Sequence, residues 1–363
     1  MFFYINTIDY KYITMDNNDT NELIVAIKSR NNNKIDKLIN SNYDVNLLDK
    51  NKRSALMFAS NINDNNTIQK IIDKDRTSIN YKDKNGMTAL HFALKYAYVC
   101  KKNQNDINYN DAVIKLLNNG CKYNIEDNYK NNIFDMAIMM ENEEIIDKIF
   151  ELSNEKNDNF ISYKYIIKAI KKNNVSYKCF IFLYDIIKKY KKFNILQKCN
   201  NIKNDEYTIN KYVFHSVHIN DIEQLKKFLF DGFNVNTLNH NNNTILSISI
   251  KYNFDEISRL ILSNNLLNIN YIFEDHDISY LMYALYCNNS LEIIKLILNI
   301  NSLNNKNYMN KWSVCALYIA VNKSLSFEII KELISNGIVL NEKVLHFVKN
   351  YEMFKELKKM LNN

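Results

Sequence analysis

Two histidines, His215 and His218, stand three residues apart in a stretch with helical apolar spacing, so their rings could share a face and ligate a metal. No third ligand lies at a standard spacing from them, and two ordinary helix histidines account for the pair equally well. Glu141, Glu143 and Glu144 gather carboxylates of the kind used in general acid–base chemistry. The same cluster suits a solvated turn ahead of a helix, where negative charge is favoured. The six cysteines (Cys100, Cys121, Cys179, Cys199, Cys287, Cys315) form no CxxC pair, and neither Cys287 nor Cys315 has a histidine at a recognised catalytic spacing. They read as reduced, part-buried thiols. Four dispersed glycines cannot build a phosphate-cradling loop. The expectation is no enzyme, no catalytic residue, no cofactor and no metal.

The elements that would carry such residues are helical. The chain has 363 residues, enough for two or three globular domains or one extended array. Its 47% hydrophobic content argues for a folded protein. Proline is absent and only four glycines occur, which disfavours an all-β fold with many tight turns. Helices joined by turns built on Asn and Asp remain open, because Asn tolerates the left-handed conformation.

The net charge of +7 raises the question of nucleic acid. Arginine occurs only at Arg30, Arg53, Arg76 and Arg259, and a surface shaped for phosphates or base edges favours the bidentate guanidinium more than this. Abundant Asn, Lys, Ile, Tyr and Phe, all with A/T-rich codons, explain the charge more simply. Near the N-terminus, Asp9 and Lys11 interrupt any signal-type apolar core after Phe2, Phe3 and Ile5. The densest apolar stretch, Phe180 to Ile187, is far shorter than the ~20 residues that span a bilayer. These features predict an intracellular, cytoplasmic protein with no membrane partner and no nucleic-acid partner.

Self-similarity is the main signal. Two or three aliphatic residues, a short polar pair and a small motif closing on Asn recur as Leu38–Ile39 to Asn46, Ile71–Ile72 to Asn80, and Leu116–Leu117 to Asn124. The phrase returns as Phe228–Leu229 to Asn236, Leu260–Leu262 to Asn270, Leu296–Leu298 to Asn304 and Leu333–Ile334 to Asn341. Asn46 and Asn80 are 34 apart, as are Asn236 and Asn270. Gly120, Gly232 and Gly337 sit just past the second helix of a repeat, where a left-handed cap suits glycine. Aliphatic runs such as Ile293, Ile294, Leu296, Ile297 and Leu298 give the second helix two apolar faces, which only stacked neighbours can cover.

The fourth glycine lies in Asp83-Lys84-Asn85-Gly86-Met87-Thr88-Ala89-Leu90-His91-Phe92-Ala93. This run resembles the ankyrin-repeat signature D-x-x-G-x-T-P-L-H-x-A, with Ala89 in place of proline. Weaker copies run from Asp49 to Ala59, Asp127 to Ala137 and Asn239 to Ser249, and others end at Ala284 and Ala320. The chain is therefore similar to degenerate, proline-free ankyrin proteins such as those of large DNA viruses and A/T-rich unicellular organisms. The resemblance implies an all-α solenoid of stacked helix-turn-helix repeats with short hairpin tips, about nine in number, over residues 21–341. It also implies that Thr88 and His91 knit the start of a first helix. Residues 1–20 are expected to be loosely ordered, and 342–363 to form C-terminal capping helices or a docking helix. An insertion near 101–110 and an irregular stretch near 150–205 interrupt the array. Without proline, the first helices are expected to fray at their starts.

In ankyrin arrays, partners meet the hairpin tips and the exposed side of the first helices. Carried over to this sequence, the candidates are Lys84, Asn85, Met87, Lys95, Tyr96, Tyr129, Lys251, Tyr252, Tyr286, Lys311 and Trp312. Trp312, the single tryptophan, reads either as an interface anchor or as packing against the neighbouring hairpin. The resemblance implies a monomeric scaffold that binds another protein, of unknown identity. One alternative is a substrate-recruiting adaptor for ubiquitin ligation. The 22 residues after Asn341 contain no proline, so that role would need a recruiting element other than the usual C-terminal box. Another is binding of an anionic polymer through the lysine-rich surface.

Overall fold

In the computed structural model the described residues are 21–103, 108–155, 161–190, 203–273, 277–340, 344, 348 and 351–362. They fall into two compact units, Met1–Phe193 and Asn194–Asn363. The expectation for residues 1–20 lies outside the described residues.

Unit 1 contains five helix pairs among its described residues: α1 (Glu22–Lys28) with α2 (Asn32–Ile39), α3 (Ala55–Asn61) with α4 (Asn65–Lys74), α5 (Ala89–Asn103) with α6 (Asp111–Asn118), α7 (Ile133–Met139) with α8 (Glu143–Glu155), and α9 (Tyr163–Asn173) with α10 (Tyr177–Lys189). Unit 2 contains four, α11 (Lys203–His218) with α12 (Ile222–Phe230), α13 (Ile245–Lys251) with α14 (Asp255–Leu262), α15 (Tyr280–Tyr286) with α16 (Leu291–Leu298), and α17 (Ala316–Asn322) with α18 (Phe327–Ser335). A final helix, α19, spans Tyr351–Asn362, and Val344 and Leu357 are buried in the same unit. Each unit is an all-α repeat stack. Among the described residues of unit 2, Ile272–Phe273 (β1) and Ile278–Ser279 (β2) form a short antiparallel pair, with Ile272 opposite Ser279.

First helices pack on the first helices of adjacent repeats, and second helices on second helices. That arrangement dictates composition. In α3, residues Ala55 to Ser60 are all buried, so the helix is built from small and apolar residues, and the Ser60 hydroxyl is satisfied by donating to the Leu56 carbonyl at 2.7 Å. Second helices face solvent on one side. In α14, Ile257, Ser258, Ile261 and Leu262 are buried while Glu256 points outward and Arg259 reaches Glu292 of the next repeat at 2.8 Å. Each fully buried Leu or Ile contributes about 1.5–3 kcal/mol by leaving water.

Side-chain caps stand where proline would otherwise preset the first helices. Ser54, Asn132, Thr244 and Ser279 each accept a hydrogen bond from the backbone amide three residues on. At α5 the Thr88 amide donates to Nδ1 of His91, whose ring lies 2.9 Å from the Thr88 hydroxyl. These bonds hold the third amide of the helices named, whereas Cys315 gives α17 no such cap.

Left-handed residues recur at two positions. One is the turn between paired helices: Arg30, Asn63, Glu141, Asn174, Asn220, Asn253, Asn288 and Ser324. The other is the hairpin tip, at Lys52, Gly86, Lys130, Asn242, Asp277 and Ser313. Asn fills five of the eight interhelical turns, and Lys, Arg, Glu and Ser take several of the remaining left-handed positions. Repeat geometry there overrides local preference.

The recurring Asn links repeats. The Asn236 amide donates to the Leu266 carbonyl (2.7 Å) and its oxygen accepts from the Asn268 amide (2.7 Å). Asn270 does the same toward Ser302 and Asn304, at 2.7 and 3.0 Å. In the following repeat the bridge is made by Asn307, which donates to the Gly337 carbonyl and accepts from the Val339 amide. The sequence phrase ending on Asn304 is therefore out of register by three residues. Asn304 receives the link from Asn270, and Asn307 passes it on. The expected insertion near 101–110 is also partly absorbed, because α5 continues to Asn103 while α3 and α7 have seven residues each.

Candidate partner-binding surface

Five tips share one construction. A carboxylate or amide oxygen at the first tip residue accepts from the backbone amides two and four residues on. Asp49 binds Asn51 and Arg53 (2.8 and 2.7 Å), Asp83 binds Asn85 and Met87 (2.8 and 2.8 Å), and Asp127 binds Tyr129 and Asn131 (2.8 and 2.9 Å). Asn239 and Asn310 make the same pair of bonds in unit 2. Neighbouring tips are also tied, Lys84 to the Asn51 carbonyl and Asn128 to the Asn85 carbonyl, each at 3.0 Å through the backbone amide. The tips are consequently fixed platforms, and the side chains between the bonded residues project from them.

In unit 1 the tips and first helices of three consecutive repeats enclose a cleft of about 530 Å³. Its lining is a grid with one residue per repeat in each row. Asn51, Asn85 and Tyr129 form the outermost row, followed by Arg53, Met87 and Asn131, then Phe58, Phe92 and Met136, and finally Asn61, Lys95 and Met139. Met57, Asp83, Lys84, Tyr98, Val99, Asp127 and Met140 complete the walls. Tyr98 and Val99 belong to the part of α5 that outruns its neighbours, and Lys101 anchors that extension by donating to the Glu141 carbonyl at 2.8 Å. The Phe58 ring is flanked by Lys28 Nζ at 4.6 Å and the Arg53 guanidinium at 4.7 Å. Burial pushes the Lys95 ammonium below the ordinary lysine value, with the charge of Asp83 opposing it.

Five of the sequence-derived candidates, Lys84, Asn85, Met87, Lys95 and Tyr129, line this cleft. Tyr96, half-buried on the same helix, does not. Phe58, Phe92, Met57, Met136, Tyr98 and Val99 also line the cleft and are not among the sequence-derived candidates.

The remaining candidates occupy equivalent repeat positions in unit 2. Lys251 and Tyr286 match Lys95, and Trp312 matches Tyr129, each counted from the cap of its first helix. Exposed aromatics there carry lysines: Lys251 over Tyr252 at 5.6 Å, Lys323 over Tyr286 at 4.1 Å and Lys311 over Trp312 at 4.4 Å. Trp312 is 60% exposed, so it is not packed away against the next hairpin.

The residues first considered for chemistry are structurally engaged. His218 bonds the Phe214 carbonyl through Nδ1 at 2.8 Å and its ring stands 5.8 Å from that of Tyr252. Asn142 caps α8 beside the glutamate cluster, Glu141 accepts from the Ser176 amide and Glu144 accepts from Asn110. Among the described residues, no three His, Cys, Asp or Glu side chains converge as a metal site. Cys100, Cys121, Cys179 and Cys315 are buried and Cys287 is half-buried, with burial pushing Cys121 and Cys179 up to about 12. Cys199 lies outside the described residues. No helix among those described is long and apolar enough to cross a membrane.

The repeat geometry agrees with an independent comparison. Residues 23–107 match the family model described as ankyrin repeats, three copies. Residues 23–107 are ankyrin repeats. The match covers the first two helix pairs of unit 1 and helix α5, including the Thr88–His91 pair and two of the three tips of the cleft. Ankyrin repeats are generally protein–protein interaction modules rather than enzymes. No curated protein matches the chain.

Proposed function

We propose that this protein is an interaction module that holds a partner protein against its hairpin tips and first helices, with Lys84, Asn85, Met87, Lys95 and Tyr129 as contacts in unit 1. Lys251, Tyr252, Tyr286, Lys311 and Trp312 are the corresponding contacts in unit 2. The carrying observation is the 530 Å³ cleft over three repeats, lined by Met and aromatic side chains that a solvated surface does not require. Rigid tips add to this, because side chains already held in place lose less entropy on binding.

The test is affinity purification from the native cell with wild-type protein and two variants, K84E/Y129A and Y252A/W312A. The reading expects at least one specifically recovered protein whose yield falls about tenfold or more with one variant while folding is unchanged. Equal recovery with both variants would move the site off this surface. Binding of an anionic polymer is the competing reading, favoured by the Lys–aromatic pairs of unit 2. Steep salt dependence of binding to random RNA or DNA would support that reading instead.

A further inference from the structure

Lys95 is the anomaly of the unit 1 cleft. Its side chain is half-buried among methionine and aromatic groups, yet among the described residues nothing hydrogen-bonds or ion-pairs with its ammonium. The nearby acids are committed elsewhere: Asp83 and Asp127 each spend a carboxylate oxygen on two tip amides, and Asp49 holds both its tip and Arg53. Asp83 and Asp127 keep their charge, and the group left without a hydrogen-bond or ion-pair partner is the Lys95 ammonium.

Five methionines line the same cleft, Met57, Met136 and Met140 from its buried walls and Met87 and Met139 half-buried. Thioether side chains are flexible and polarizable, and adapt to apolar groups of varied shape. A wholly apolar occupant would bury the ammonium without a counter-charge, which is costly. A basic occupant would bring a second positive charge to the unpaired Lys95 ammonium. The α5 extension that adds Tyr98 and Val99 builds one wall of this cleft, and the cleft opens between fixed tips.

We propose that the unit 1 cleft receives a short segment of a partner protein in which an Asp or Glu side chain stands beside a large apolar one. The carboxylate pairs with Lys95, and the apolar group lies among the methionines. This rests on the interaction role proposed above and names the chemistry of what enters the cleft.

The probe is a phage-displayed library of random twelve-residue peptides selected on the full chain, followed by affinity measurement on the best synthetic peptides. Enriched peptides are expected to place an acidic residue within a few positions of Leu, Met, Phe or Trp. Their affinity should drop about tenfold to thirtyfold in Lys95→Met, which keeps the apolar stem and removes the charge, and stay within twofold in Asn118→Ala, on the exposed end of α6 outside the cleft. Thermal unfolding of both variants serves as the control for folding. Purely apolar peptides insensitive to Lys95→Met would overturn the carboxylate pairing and leave the interaction role standing. Peptides dependent on Asn118 rather than Lys95 would overturn the assignment to this cleft. No enrichment over an unrelated control protein would overturn the inference, while the interaction role would still be decided by cellular recovery.

Discussion

The carboxylate of Asp83 accepts the backbone amide of Met87 at 2.8 Å, closing a tip whose outer side chains face the unit 1 cleft. Asn239 closes its own tip in the same way with a neutral amide, accepting from Asn243 at 3.0 Å. The geometry of two accepted amides, and not the negative charge, is what the tip requires. Asp83→Asn should therefore lie within about 1 kcal/mol of wild type, whereas Asp83→Ala should cost about 1–3 kcal/mol by stranding two amides. Urea unfolding of the two variants decides this; equal losses would mean that the charge itself matters.

His91 supplies a pH dependence of known sign. Burial lowers its imidazole from 6.5 to about 4 in the folded chain. The unfolded chain thus takes up a proton first, so the stability that neutral His91 provides is complete above pH 6.5 and declines as pH falls toward 4. The decline should reach about 2 kcal/mol between pH 7 and pH 5. Comparing wild type with His91→Gln isolates it. A wild-type slope no steeper than that of the variant would show that the ring protonates freely in the fold.

Gly86 and Gly120 both have positive φ, at 77° and 86°, but only one has room for a side chain. A Cβ at Gly86 would sit 2.7 Å from Asn128 Oδ1 and 2.9 Å from the Asn128 backbone nitrogen, whereas at Gly120 it meets nothing within 4 Å. Gly120→Ala should cost about 1–2 kcal/mol from backbone strain alone. Gly86→Ala should cost more, since the Asn128 amide that ties two tips together must shift. Similar melting temperatures for the two variants would refute the close approach.

The linking Asn residues make a register test. Asn270→Ala should destabilise unit 2 by about 1–3 kcal/mol, as should Asn307→Ala, because each removes bonds to the next repeat in both directions of donation. For Asn304, only its backbone amide is linked to Asn270, so Asn304→Ala should be close to neutral. A large loss at 304 with none at 307 would restore the register read from sequence.

Much of this was legible because the repeat prints its geometry on the chain. The cap-to-cap spacing, the Asn bridges at 236 and 270 and the left-handed glycines were all visible as spacing. Lys95, Met87 and Tyr129 could be found for the same reason, since the cleft is a grid with one residue per repeat. What was not legible depended on deviations from the period. Three additional residues move the bridge from Asn304 to Asn307, and the continuation of α5 to Asn103 brings Tyr98 and Val99 into the cleft. Phe58 and Met136 escaped notice because each is nearly buried, at 6% and 8% exposure, and an apolar residue on a short helix looks like core until the cleft beside it is seen.

The central claim, that a partner sits on the tips and first helices, is tested most directly by site-specific photocrosslinking in the native cell. One photoreactive residue replaces Tyr129 on an exposed tip of the cleft, and another replaces Asn118 on the exposed end of second helix α6. Crosslinking of a discrete partner from position 129 and not from 118 is the predicted result. The reverse, a partner captured at 118 with none at 129, would contradict it.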